Sequence, residues 1–364
     1  MVKLHDEDSF AINTNNNFSL TSAGGIYGEL GNAAADLFCA HGIGPLLKWV
    51  DDHIFFHIQC EYLSLYNDKR VLWHKTITNN GGQLQSGSRF LYHGKNLPND
   101  LPAEFDEDAA NPIKNLSNAS NRSTNDTAFT YCDTNIDALS GKLGIPWEPS
   151  KTIPFGTSVL YLGFDWDLPT CIISLSEEKK IKYKAAIKEW LSKLTHTLED
   201  VQKLYRKLLH ASFVVPAGQV YLTKLEAMLG SFTTSPFISR HPPRDTSNDL
   251  KWWLNILSHP KIFRSIPGPC LITDRGVYSD ASSGISIGII IAGRWRAWHF
   301  VHGWKTKGQD IGWAEAVGFE FLAHTLSTVS KPGEHFRVFG DNRGVVEGWW
   351  KGQSHNKETN LVFQ

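Results

Sequence analysis

Apolar and polar positions along the chain follow two different periods. The run Ser158-Val159-Leu160-Tyr161-Leu162-Gly163-Phe164 reads as strand. Between 176 and 210 the period lengthens, and Ile181, Ala185, Ile187, Leu191 and Leu194 recur at helical spacing. Ser176 ahead of Glu177 and Glu178 has the form of an N-cap followed by an acidic first turn. A second helix is predicted over 198–211, ending before the turn Pro216-Ala217-Gly218, and a third over 220–229. Residues 236–249 read as a linker. Beyond 270 the pattern predicts a meander of strands over 277–281, 285–291 and 294–301, with an Ala292-Gly293 turn. A helix over 309–325, a strand over 335–340 and a helix from Arg343 follow, so the order is β-β-β-α-β-α.

The first third is uneven. Residues 20–62 are rich in Gly and Ala and then strongly apolar, whereas 95–135 shift to Asn, Asp, Ser, Thr and Pro. Such a stretch has too few apolar groups to offset the entropy of ordering, and it is expected to be a flexible insertion.

Composition adds bounds. The 364 residues suggest two or three domains. Thirty-six basic residues against 37 acidic ones give a net charge of −1, so any basic surface must be local. One such surface is predicted in 176–210, where nine Lys/Arg oppose five Asp/Glu. Its lysines suit either a solvated helix face or phosphate contact. Five cysteines without metal-ligand spacing argue against a disulfide framework or a zinc module. The N-terminus has no apolar signal core, and no stretch approaches the roughly 18 apolar residues of a membrane span, so an intracellular protein is expected.

Three constellations could carry chemistry. In Trp49-Val50-Asp51-Asp52-His53-Ile54 two adjacent carboxylates interrupt strand-forming residues. A hairpin tip there would either present Asp51 and Asp52 to a divalent cation or be a solvated turn. The glycine-rich stretch Ser22-Ala23-Gly24-Gly25-Ile26-Tyr27-Gly28 leads toward Ala33, Ala34 and Ala35. It would let backbone approach a nucleotide at a helix start, or simply be a turn into the helix; without a following Lys-Ser/Thr it is no P-loop. The third is acidic. Asp280 interrupts a strand pattern, Asp341 follows the strand over 335–340, and Glu315 shares a helical stripe with Phe319 and Leu322. A glutamate in an apolar stripe is costly unless it meets a cation, and carboxylates from two strands and one helix can converge on metal ions.

In this order, and over most of the chain, these marks resemble the reverse transcriptases of retroelements followed by a fused ribonuclease H domain. Residues 22–28 look like the polymerase motif that contacts template and incoming nucleotide, with Gly24 and Gly25 as substrate-contacting positions. Trp49-Val50-Asp51-Asp52 looks like the aromatic-x-Asp-Asp hairpin of the palm, and 143–151 resembles a later palm motif whose lysine, here Lys151, lies near the triphosphate. Leu162 and Gly163 are similar to the turn that grips the primer, the helices of 176–229 occupy the place of the thumb, and Asp280, Glu315 and Asp341 match acidic positions of ribonuclease H. The tone of the segments is closest to fungal retroelement polyproteins of the tyrosine-recombinase class.

The resemblance implies an α+β protein: a truncated palm, a helical thumb and a truncated ribonuclease H-like α/β domain. The implied segments are partial palm 1–62, flexible insertion 63–138, further palm 139–175, thumb 176–235, connection 236–270 and partial ribonuclease H-like domain 271–364. It also implies Mg2+ (or Mn2+) at Asp51, Asp52, Asp280, Glu315 and Asp341. The implied partners are an RNA template, a DNA primer, RNA–DNA hybrid and other polyprotein segments, in the cytoplasm or nucleus and away from membranes. Two departures lower the expected activity. The family's first palm Asp has no counterpart in the roughly 20 residues ahead of Gly24, since Asp6 and Asp8 lack a strand-like frame. The last strand and helix of ribonuclease H, with a further carboxylate, would lie beyond Gln364. The alternatives are a non-catalytic nucleic-acid-binding remnant and a stand-alone ribonuclease H-like nuclease.

Overall fold

The computed structural model describes residues 2–3, 10–11, 23–49, 52–79, 83–85, 89–91, 111–118, 122–123, 125–145, 147–266, 272–306, 308–331, 334–354 and 356–364. Ten α-helices and fourteen strands among them give a mixed α+β protein. No helix among these residues is long and apolar enough to cross a membrane. The chain divides into two units, Met1–Gly156 and Thr157–Gln364. The division falls inside the expected palm segment 139–175.

In the first unit, short strands β1 (Val2–Lys3) and β2 (Phe10–Ala11) pair antiparallel. Helix α1 (Ala23–Ala40) buries Gly31, Ala35 and Phe38, spaced i, i+4 and i+7. Gly24, Gly25 and Gly28 thus lie inside the helix rather than in a turn before it. The helix-forming Ala33–Ala35 run and the packing of Phe38 outweigh the ~1 kcal/mol that each glycine costs. Strands β3 (Leu46–Trp49) and β4 (Asp52–Phe55) form a hairpin in which Trp49 opposes Asp52. Lys48 runs along Gly31, and its Nζ donates to the Gly28 carbonyl at 3.3 Å, tying the hairpin to α1.

Within the expected insertion the structure has helix α2 (Leu63–Asn79) and strands β5 (Gln83–Gln85) and β6 (Arg89–Leu91), and helix α3 (Asp133–Leu143) crosses from it into the expected palm segment. The described part of the polar stretch before α3, 111–118, 122–123 and 125–132, is held by side chain to backbone bonds. Asn67 brackets Ile113 with two bonds of 3.0 and 3.1 Å, and Arg122 donates to the carbonyls of Asp126 and Phe129 and to Asn135 Oδ1. Polar residues there satisfy backbone groups instead of solvating a loop, which composition alone does not reveal. Residues 92–110 lie outside the described residues. Phe38, Ile43, Tyr131, Ile136 and Leu139 form the core, with Phe55 edge-on to Phe38 at 5.1 Å.

The second unit holds two four-stranded sheets. Strands β7 (Ser158–Tyr161), β8 (Phe164–Asp167) and β9 (Ile172–Leu175) form an antiparallel meander that β10 (Phe263–Ser265) joins beside β9. The run predicted as one strand is therefore two, folded at Leu162-Gly163. Helices α4 (Glu177–Leu191), α5 (Leu198–Ser212), α6 (Thr223–Ser231) and α7 (Thr246–Ser258) pack around Ile187, Leu208, Leu225 and the fully buried Trp253. A Cβ on Gly218 would collide with the Trp253 ring, so that turn requires glycine. The stripe predicted for α4 is corrected. Ile187 is buried as the stripe predicts and Leu191 packs against the core, but Ile181 is 59% exposed, and Lys180, Tyr183 and Trp190 face inward, because the two aromatic rings offer more area to bury.

The second sheet contains β11 (Ile272–Ala281), β12 (Ser286–Ile291), β13 (Arg294–His299) and β14 (His335–Phe339), in the order β13-β12-β11-β14. The first three are antiparallel neighbours, and β14 returns parallel to β11 after helix α8 (Ile311–Val329). Helix α8 packs on β11 and β12 through Leu322 against Val277 and Ile289 and through Ala314 against Ala281 and Ile287, while Phe319 packs with Val338 of β14 and with Val345. Helices α9 (Arg343–Lys351) and α10 (Lys357–Phe363) follow.

Candidate metal centre

Strand register brings the first two carboxylates together. Tyr278 of β11 is paired with Phe339 of the parallel strand β14. Asp280 and Asp341 each lie two residues farther on, at the same end of adjacent parallel strands. Along β11 the side chains of Val277, Ser279 and Ala281 are buried, while Tyr278 and Asp280 are exposed. The chain leaves β14 through Gly340, where a Cβ would stand 2.6 Å from the Phe319 ring. Glycine thus lets the Asp341 backbone pass close over α8.

Glu315 reaches the same point from the helix. One turn farther along α8, Gly318 lies against the sheet so closely that a Cβ would collide with Ser279 Oγ. The contact sets the height of α8 above β11 and places Glu315 under Asp280 and Asp341. Carboxylate oxygens of Asp280, Glu315 and Asp341 all lie within 4.8 Å of one another.

The electrostatics follow from that geometry. Glu315 is 4% exposed, and its Oε2 has no hydrogen-bond partner. Burial, then the Asp341 and Asp280 carboxylates, push its carboxyl up to about 7, with a backbone hydrogen bond from Ala281 opposing. Three converging carboxylates, one desolvated and with one oxygen unpartnered, repel one another unless a cation intervenes. All-oxygen donors of this kind suit a hard divalent cation such as Mg2+ or Mn2+. This donor set fits the divalent metal that the resemblance implies.

Sequence reasoning singled out the three acids and missed the residues that shape the site. Ser279, buried with an unpartnered Oγ, and the spacers Gly318 and Gly340 form part of its wall. The available signal was a glycine in the apolar stripe of a helix and another immediately before Asp341.

Among the described residues, the other expected site residues are not gathered into such a cluster. Asp51 lies outside the described residues; Asp52 opens β4, is exposed, and belongs to no group of three potential metal ligands among the described residues. Gly24 and Gly25 are in the first turn of α1. Lys151 is exposed at the end of the 3-10 turn Pro149–Lys151, which Glu148 caps through Ser150. Leu162 and Gly163 form the β7–β8 turn with φ of 53° and 80°. Among the basic residues of α4 and α5, Lys182, Lys188 and Arg206 are exposed, whereas Lys180 is buried and donates to the Pro260 carbonyl at 3.3 Å. Lys193 and Lys203 pair with Glu189 and Glu199. No known protein-family model and no curated protein matches this chain.

Proposed function

We propose that the chain acts on RNA and DNA as a retroelement-type reverse transcriptase with a ribonuclease H activity. In this reading Asp280, Glu315 and Asp341 cut the RNA strand of an RNA–DNA hybrid with Mg2+ or Mn2+. The supporting observation is the meeting of these three carboxylates on a β-β-β-α-β-α unit, with one buried, its Oε2 unpartnered, beneath two exposed. Bound divalent ions supply activation of the attacking water and stabilisation of the leaving oxygen. The protein's part is to hold them: Asp280 and Asp341 from the solvent side, Glu315 from below, with its burial strengthening the attraction. Exposed Lys182, Lys188 and Arg206 supply positive charge for the phosphate backbone. The polymerase half of the reading rests on the order of the motifs holding Gly24, Gly25, Asp51, Asp52, Lys151, Leu162 and Gly163.

Incubation of the chain with labelled RNA–DNA hybrid, double-stranded RNA and double-stranded DNA in Mg2+ tests the proposal. It predicts cleavage confined to the RNA strand of the hybrid and lost in Asp280→Asn. Equal cleavage of all three duplexes, or cleavage that survives Asp280→Asn, contradicts it. Salt-sensitive hybrid binding with no cleavage would make the chain a non-catalytic binder instead.

A further inference from the structure

We infer that His210 is a positioning residue: its imidazole clamps the Leu162-Gly163 turn onto helices α4 and α5 and so fixes the segment that faces the primer strand. The inference rests on the proposed reverse-transcriptase reading for what the turn faces, and on the geometry alone for the clamp.

Leu162 and Gly163 both have left-handed backbone, the pattern of a two-residue hairpin turn with positive φ at each position. Glycine adopts it freely; leucine does so only where its surroundings hold it there. Four side chains from three elements hold this turn. His210 Nε2, on α5, lies 2.8 Å from the Leu162 carbonyl oxygen, and its Nδ1 lies 3.1 Å from the Tyr183 hydroxyl of α4. A carbonyl only accepts, so Nε2 carries the proton, and Nδ1 is left to accept from Tyr183. The imidazole also stacks on Phe164, the first residue of β8, at 4.2 Å and 6°.

Gly163 completes the arrangement. A Cβ there would stand 2.9 Å from Lys179 Cε and 3.3 Å from the His210 ring, so the turn is pressed against both helices. Burial, with Lys179 nearby, lowers the His210 pKa and favours the neutral ring that this bonding pattern requires. The orienting chain Tyr183–His210–Leu162 thus passes the position of the helices to two backbone units of a hairpin. Nothing in the metal centre uses these residues.

The test uses the full chain and three substitutions. Glutamine places an amide N–H where Nε2 stands; asparagine and alanine do not reach. Nitrogen-15 histidine spectra of the wild type should show His210 as the Nε2–H tautomer. Hydrogen exchange across 161–164 should be slow in wild type and His210→Gln and faster in His210→Asn and His210→Ala. Affinity for a primed RNA template, read by fluorescence anisotropy, should change less than about threefold in His210→Gln and fall about tenfold in the other two, the scale of one lost hydrogen bond. An Nδ1–H tautomer, or unchanged exchange in all three variants, overturns the clamp. Wild-type affinity in all three overturns the positioning role. Absence of template binding by the wild type overturns the functional reading instead, and spectra and exchange still decide the clamp.

Discussion

Glu315 makes the ionised, cation-free fold unfavourable by being both buried and close to Asp280 and Asp341. Its folded carboxyl titrates near 7, whereas in the unfolded chain it titrates near the ordinary 4.5. Between these values the unfolded chain releases a proton that the folded chain keeps, so stability falls as pH rises through that window and stays reduced above it. Glu315→Gln removes the charge. It is expected to be more stable than wild type at pH 8 without divalent ions, by about 1–3 kcal/mol, with the difference gone at pH 4. Denaturant unfolding at the two pH values measures this; a variant less stable at pH 8 would contradict it. The acids themselves were legible in the sequence, because a carboxylate in an apolar stripe conflicts with its neighbours Phe319 and Leu322. The height at which α8 rides was not, since it depends on Gly318 meeting Ser279, a contact between residues 39 positions apart.

At the scale of elements, that contact makes α8 and β11 one structural part. Gly318→Ala forces a Cβ into Ser279 Oγ and to 3.1 Å from Ile287. Overpacking of this kind costs about 1–3 kcal/mol, and the shift of α8 also lifts Glu315 away from the aspartates. The variant should therefore lose divalent-ion affinity more than its lowered melting temperature explains; unchanged affinity would show that Gly318 is only a packing residue. Helices and strands with strong periodicity were legible: α5, the β11–β12–β13 meander and α8 fall where the pattern predicts. The less regular elements followed tertiary demands. Tyr183 and Trp190 rotated α4 so that Ile187 and Leu191 of its aliphatic stripe face the core and Ile181 does not, Leu162-Gly163 split one predicted strand into a hairpin, and Phe38 drew the glycine-rich stretch into α1. Each was decided by a packing partner distant in sequence, which local propensity does not contain.

On the scale of the whole molecule, the second unit joins its helical part to its acidic sheet through α10. Asn360 is buried; its Nδ2 donates to the Val220 carbonyl at 3.1 Å and to Thr223 Oγ1 at 3.3 Å, and its Oδ1 accepts from Ser354 N. Asn360→Ala removes these three bonds and leaves the Ser354 N–H without its acceptor, although Thr223 Oγ1 still donates to the Val220 carbonyl, at a cost of roughly 1–3 kcal/mol. Calorimetry should then resolve the melting of 272–364 ahead of the helical core, whereas a single transition at the wild-type temperature would mean that the junction contributes little. A motif order was legible at this scale because each motif is short and local; the junction at Asn360 has no sequence signature of its own.

The functional reading depends on Asp280, Glu315 and Asp341 holding a divalent cation together. Calorimetric titration of Mn2+ into the metal-free chain tests it most directly, alongside Asp280→Asn and Glu315→Gln. Saturable binding by the wild type is expected, accompanied by proton release near pH 7 as Glu315 ionises, and lost or strongly weakened in both variants. Equal Mn2+ binding by wild type and both variants, or no saturable binding by any of them, would contradict it.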